Sequence, residues 1–128
     1  MIGVEARYPG RAPIDSYGNG GFRFAGMSHR GSLLCLPAGI WASPVTSAGE
    51  IDEAAVGLAL EQATPDAAVD HFLIGTGRDL VPMSSALRET FRKRRIVVES
   101  MSTGAAVRTY NILLGERRRV GALLVAVD

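Results

Sequence analysis

The stretch of this sequence best suited to binding an anion is Gly75-Thr76-Gly77-Arg78, directly after the apolar segment 69–74. Glycines at the carboxyl end of a buried strand let backbone N–H groups approach a phosphate or carboxylate closely. A dinucleotide fingerprint would need a third glycine where Leu80 stands, and the Gly-Lys-Ser/Thr of a P-loop is absent. Because the same glycines suit an ordinary tight turn, a ligand-binding and a purely structural role both stay open.

A second polar cluster surrounds a predicted helix start at Ser102 and Thr103. If the strand that ends at residue 101 lies beside the one that ends at residue 74, both loops open on the same sheet edge, where α/β proteins bind ligands. Arg108 would then face the anion, whereas hydrogen bonds within the chain are the alternative role for this cluster. The predicted ligand-binding residues are Gly75, Thr76, Gly77, Arg78, Ser102, Thr103, Arg108 and Asn111.

The cysteine, serine and histidines of this sequence lack the partner residues or the spacing that a catalytic or metal site needs. Cys35 lies in an apolar segment, where a thiol is expected to behave as a small buried hydrophobe. Ser28 lies in the segment 26–31, which is one residue too long for a Gly-x-Ser-x-Gly nucleophile elbow. His29 and His71 lack the partner spacing of a metal site. We therefore predict no catalytic residues, no metal and no cofactor.

The charge balance argues against a nucleic-acid partner. Fourteen Lys and Arg stand against thirteen Asp and Glu, for a net charge of +1. Two short basic clusters, at residues 92–95 and 117–119, lack the aromatic residues on which bases would stack. Trp41 has two possible roles, a core residue or an exposed anchor for a protein partner, because tryptophan is frequent at binding hot spots.

The single cysteine favours a reducing compartment, and the short apolar runs argue against export and against membrane insertion. Cys35 is the only cysteine, so no disulfide forms within the chain. The longest apolar run, residues 122–127, is far shorter than the roughly 20 residues of a membrane-spanning helix, and residues 1–10 lack the apolar stretch of a signal peptide. We expect a cytoplasmic protein without membrane insertion; its oligomeric state does not follow from the sequence.

The elements that must position these residues fit one domain of 128 residues. Residues 1–13 are predicted to be a poorly tied arm and residues 14–128 a single α/β domain. Alternating apolar residues and glycine-rich turns up to residue 42 predict an antiparallel meander of short strands. The Ser47-to-Glu50 spacing predicts a capping box at the start of a helix.

The rest of the chain alternates strands and helices. Strands are expected at about 69–74, 96–101 and 120–127. Between them, one helix over 84–94 buries Leu87 and Phe91, and a second one ends with Gly115 in a left-handed conformation. Such a βαβαβ order demands parallel pairing with right-handed crossovers. The predicted fold is an α/β layered sandwich with a mixed central sheet.

Several short motifs occur in an order that resembles one known family. They are Ile14-Asp15-Ser16-Tyr17-Gly18, Gly20-Gly21-Phe22-Arg23, Trp41, Ile74-Gly75-Thr76-Gly77, Pro82, Val98-Glu99-Ser100-Met101, Thr103-Gly104-Ala105-Ala106 and Arg108-Thr109-Tyr110-Asn111. The chain resembles the domain-of-unknown-function family that includes the mitochondrial complex I assembly factor 3 and the adipogenesis-associated protein. This resemblance implies a single-domain three-layer α/β sandwich and action through a protein partner, and it implies no catalytic mechanism.

Overall fold

The N-terminal strands form a small antiparallel sheet of their own. The computed structural model describes residues 6–61 and 68–128, so the first five residues of the predicted arm lie outside it. Strands β1 (Ile14–Gly18), β2 (Gly21–Phe24) and β3 (Met27–Arg30) pair in the order β1-β2-β3. Gly31, with φ of 96°, then turns the chain out of this sheet. The predicted meander is therefore divided between two sheets.

The other strands build a mixed five-stranded sheet at the centre of the domain. β4 (Ser32–Leu36), β5 (Gly39–Ser43), β6 (His71–Gly75), β7 (Val97–Met101) and β8 (Val120–Leu124) lie in the order β5-β4-β8-β6-β7. β6 pairs in parallel with both β7 and β8, whereas β4 pairs antiparallel with β5 and β8. In the predicted arm, Tyr8 forms an antiparallel bridge with Ile40.

The two faces of the large sheet carry separate apolar cores. Helices α1 (Glu53–Glu61) and α2 (Ser85–Lys93) cover one face, where Phe72 stacks on Phe91 at 5.0 Å between ring centroids. Helix α3 (Thr103–Gly115) and the small sheet cover the other face, where Tyr110 packs in one cluster with Phe24. These layers confirm the predicted single-domain three-layer α/β sandwich with a C-terminal βαβαβ unit.

Helix ends follow local hydrogen-bond chemistry, and they differ from the prediction at three places. Ser84, which the prediction placed inside the helix, is instead its N-cap, because its hydroxyl accepts from the Leu87 N–H. The capping box at Ser47 does not form: Glu50 instead accepts from the N–H and hydroxyl of Thr46, and α1 begins at Glu53. At the end of α3, Gly115 stays helical and the left-handed residue is Arg117, with φ of 61°.

Candidate functional site

The loops that follow β6 and β7 lie side by side at the carboxyl edge of the large sheet. We call residues 75–78 and 102–103 the strand-end loops. The Thr76 N–H donates to the Met101 carbonyl at 2.8 Å, and the Thr103 N–H donates to the Gly77 carbonyl at 2.8 Å. Helix α2 leaves β6 toward one face and α3 leaves β7 toward the other, so the loops flank a topological switch point.

The hydroxyl of Thr103 fastens one strand-end loop to the other and to the chain after β8. Thr103 is completely buried; its Oγ1 donates to the Val125 carbonyl at 2.7 Å and accepts from the Gly77 N–H at 2.9 Å. The close approach of the two loops also explains why residue 75 is a glycine, because a Cβ on Gly75 would lie 3.0 Å from the Thr103 Cα. Gly75 and Thr103, whose residue types suggested a ligand site, therefore hold the edge of the sheet against α3.

The hydroxyl of Thr76 is likewise occupied within the chain. Its single hydroxyl hydrogen is within reach of two acceptors, the Asp79 carbonyl at 2.6 Å and the Met101 carbonyl at 3.1 Å, and its Oγ1 accepts from the Val81 N–H at 3.0 Å. Only 7% of Thr76 is exposed. The loop from 76 to 81 is thus folded around a threonine hydroxyl.

The remaining predicted ligand residues divide between the loops and the body of α3. Ser102 is the N-cap of α3, with its Oγ accepting from the Ala105 N–H at 3.3 Å, whereas Arg78 and Arg108 are exposed. Asn111 lies away from the loops: its amide accepts from the Ile14 N–H at 2.9 Å and donates to the Ile14 carbonyl at 2.8 Å. The structure therefore brings six of the eight residues together and gives Asn111 a role in holding β1.

Two clefts adjoin the strand-end loops. One, of about 570 Å³, has Arg78 on its wall together with the carboxylates of Asp79 and Asp128. The other, of about 220 Å³, is mainly apolar, and its lining includes Ile51, Ile74, Val81, Met83 and Leu87. We call this second one the apolar cleft.

The apolar cleft opens next to two large apolar side chains that face solvent. Leu80 is 57% exposed and Val81 is 43% exposed. Sequence reasoning missed this pair, although an apolar Leu-Val within a loop before Pro82 was a signal of it. Exposed apolar groups beside an apolar cleft are typical of a surface that contacts another protein.

Other residues singled out in the sequence lie in the interior. Trp41 is 7% exposed within the core under α1 and α2, which is the core alternative rather than the exposed anchor. Burial raises the pKa of the Cys35 thiol to about 12, so the nucleophilic thiolate is strongly disfavoured. Burial also lowers the pKa of His29, whose Nε2 lies 3.2 Å from the Ser32 carbonyl.

The described part of the chain offers no metal site and no membrane span. Within residues 6–61 and 68–128, no three His, Cys, Asp or Glu side chains are grouped so that they could hold a metal ion. Over the same ranges, no helix has both the length and the apolar character that crossing a bilayer requires.

Comparison with known proteins extends over nearly the whole chain. Residues 14–125 match the family model described as "Protein of unknown function (DUF498/DUF598)". An uncharacterized protein of Rhodobacter capsulatus is 40% identical over 98% of this chain and 93% of its own length. The rat NADH dehydrogenase [ubiquinone] 1 alpha subcomplex assembly factor 3 is 29% identical over 95% of this chain, which spans only 64% of the rat protein.

A solved structure supports the fold. The crystal structure described as an outer membrane protein from Bartonella henselae superposes with a TM-score of 0.88 at 48% identity and covers 95% of this chain and 100% of that one. The domain architecture is therefore shared with an experimentally determined relative.

Proposed function

The chain belongs to the protein family of unknown function DUF498/DUF598, and from this premise we propose that it is a non-enzymatic assembly module acting through protein contacts. Its distant likeness to an assembly factor of NADH dehydrogenase supports an assembly role. The specific proposal is that it contacts a subunit of an NADH dehydrogenase while that enzyme is being built. A cytoplasmic location stays a prediction of the sequence.

One observation carries this proposal: the exposed pair Leu80 and Val81 beside the apolar cleft. At the same edge, the hydroxyls of Thr76 and Thr103 are engaged by backbone groups of the chain itself. Neither hydroxyl is therefore free to bind a ligand, whereas the exposed apolar surface of Leu80 and Val81 favours burial against a partner. We propose that an apolar side chain of the partner enters the cleft against Val81 while Leu80 packs beside it.

This surface replaces Trp41 as the proposed contact, because so little of Trp41 reaches solvent. The basic cluster at residues 92–95 is partly neutralised by the ion pair of Arg92 with Glu89. In the second cluster, Arg119 pairs with Asp70 at 2.9 Å. Exposed ion pairs contribute little free energy, whether within the chain or with a partner. We therefore expect less binding free energy from either basic cluster than from the apolar surface.

Co-purification with an introduced charge tests the proposal. Leu80→Asp should reduce the NADH dehydrogenase subunits recovered with the tagged chain by at least about tenfold, the loss expected at a central apolar contact. Ile112→Asp is the matched control, because Ile112 is 55% exposed on α3 and Leu80 is 57% exposed. Equal recovery with both variants, or no such subunit recovered with the unaltered chain, would contradict the proposal.

A small-molecule site at the strand-end loops is the second candidate function. Its support is the convergence of these loops beside the cleft of about 570 Å³. The test is a thermal-shift screen with anions and nucleotides on the unaltered chain, Arg78→Ala and Arg108→Ala. A ligand of this site should raise the melting temperature and lose its effect in at least one variant. If no compound raises it, or if both variants respond like the unaltered chain, this candidate is wrong.

A further inference from the structure

The outer face of the small sheet carries a groove of mixed polar and apolar lining that is separate from the strand-end loops. This groove, of about 420 Å³, is lined by residues from all three strands and from the turn at residue 19. Phe22 and Phe24 point the other way, into the core. Alternation along the strands therefore turns Arg23 and Arg30 outward, onto the same face.

Strand register makes the two arginines close neighbours. Arg23 pairs with Ser28, and Arg30 pairs with Gly21 on the adjacent strand. Their Cα atoms are thus diagonal neighbours, about 7–8 Å apart. Both side chains leave the same face of the sheet, so an anion bound between them would attract both positive charges.

No carboxylate compensates these charges among the residues that line the groove. The ion pairs found in the described part of the chain involve other cations, namely Arg92, Arg119 and His71. Among the residues that the structure describes, the hydrogen bond found for Arg23 goes to a neutral group, the Ser28 hydroxyl, at 2.6 Å. Both arginines therefore keep donors for an external anion.

The ends of the groove are held by backbone geometry. The turn between β1 and β2 has three consecutive left-handed residues, Gly18, Asn19 and Gly20, with φ of 130°, 52° and 79°. The Gly20 N–H donates to the Val127 carbonyl at 2.8 Å, and the Gly31 N–H donates to the Gly20 carbonyl at 2.7 Å. These bonds fix the backbone of the strands that carry the arginines, so the ordering needed when a ligand binds is confined to the two side chains.

We propose that this groove binds a phosphate group, either as free phosphate or as a phosphate monoester. Two guanidinium groups and the hydroxyls of Ser16 and Ser28 supply more donors than the two oxygens of a carboxylate can use, and they suit the several oxygens of a phosphate. The site is independent of the apolar cleft. Its failure would leave the proposed assembly role untouched.

NMR titration of the isotope-labelled chain tests the proposal, with inorganic phosphate, phenyl phosphate and benzoate added at constant ionic strength. Saturable shifts are expected at the amides of residues 16–30, with a dissociation constant of about 1 mM or tighter for at least one phosphate compound. Stronger binding of phenyl phosphate would identify a monoester as the ligand, and stronger binding of inorganic phosphate would identify the free ion.

Substitutions decide whether the groove itself binds. Arg23→Gln and Arg30→Gln should each weaken phosphate binding about tenfold, whereas Arg88→Gln, an exposed arginine on α2, should leave it unchanged. Both groove arginines are exposed, so unaltered amide spectra outside residues 16–30 serve as the folding check. Shifts that do not saturate, that are equally large at residues 92–95, that persist in both groove variants, or that benzoate alone produces would overturn the proposal.

Discussion

Removing the hydroxyl of Thr103 measures how firmly the strand-end loops are built into the fold. Thr103→Val keeps the branched shape but leaves the Gly77 N–H and the Val125 carbonyl without their partner, in a fully buried place. Each unsatisfied buried backbone group costs about 1–3 kcal/mol. Allowing for partial relaxation of the loops, we expect the free energy of unfolding to fall by about 2–4 kcal/mol.

Urea unfolding followed by the fluorescence of the single tryptophan, Trp41, provides the assay. Thr103→Ser keeps the hydroxyl and should lose only about 1 kcal/mol, for the missing methyl. Thr90→Val is the control, because its hydroxyl donates to the Ala86 carbonyl on the exposed side of α2; its effect should stay within about 0.5 kcal/mol. If Thr103→Val is no more destabilising than Thr90→Val, the hydroxyl does not fasten the loops and our reasoning is wrong.

Three further predictions concern other buried or half-buried side chains. Asn111→Ala should lower the free energy of unfolding by about 1–3 kcal/mol and speed amide exchange at Ile14, because the two hydrogen bonds that hold β1 to α3 are lost; an unchanged exchange rate would contradict this. The Cys35 thiol, whose pKa burial raises to about 12, should resist alkylation in the native protein and react in urea; rapid native alkylation would contradict its burial. Burial lowers the pKa of His29 below its ordinary value of 6.5, so the unfolded chain binds a proton that the folded chain does not, and stability should fall as pH drops below 6.5 toward the lower folded pKa. Urea midpoints between about pH 7 and about pH 5 should show a smaller fall for His29→Gln than for the unaltered chain, and an equal fall would refute this assignment.

Features set by local pattern or by general topology were predictable from the sequence. The helix over 84–94 follows from the i, i+4 pair of Leu87 and Phe91. The meeting of the strand-end loops follows from parallel βαβ units, whose carboxyl ends share one edge of the sheet. The fold class was therefore within reach of a single sequence.

Features that depend on distant residues or on competition between neighbours were not predictable. The capping box at Ser47 fails because Thr46 offers Glu50 two donors of its own. Asn111 bonds to Ile14, a residue distant in sequence that only the folded chain brings near. Its residue type alone therefore suggested a ligand-binding role instead. The groove between Arg23 and Arg30 likewise needs the register of β2 and β3, which a sequence pattern does not specify.

The assembly role is tested most directly in cells that lack the gene. The amount of fully assembled NADH dehydrogenase, measured on native gels, should fall on deletion and return with the unaltered chain and with Ile112→Asp. With Leu80→Asp expressed at the same level, it should stay at the level of the deletion strain. A normal amount of the enzyme in the deletion strain, or full restoration by Leu80→Asp, would contradict the proposal that this chain builds the enzyme through its exposed apolar surface.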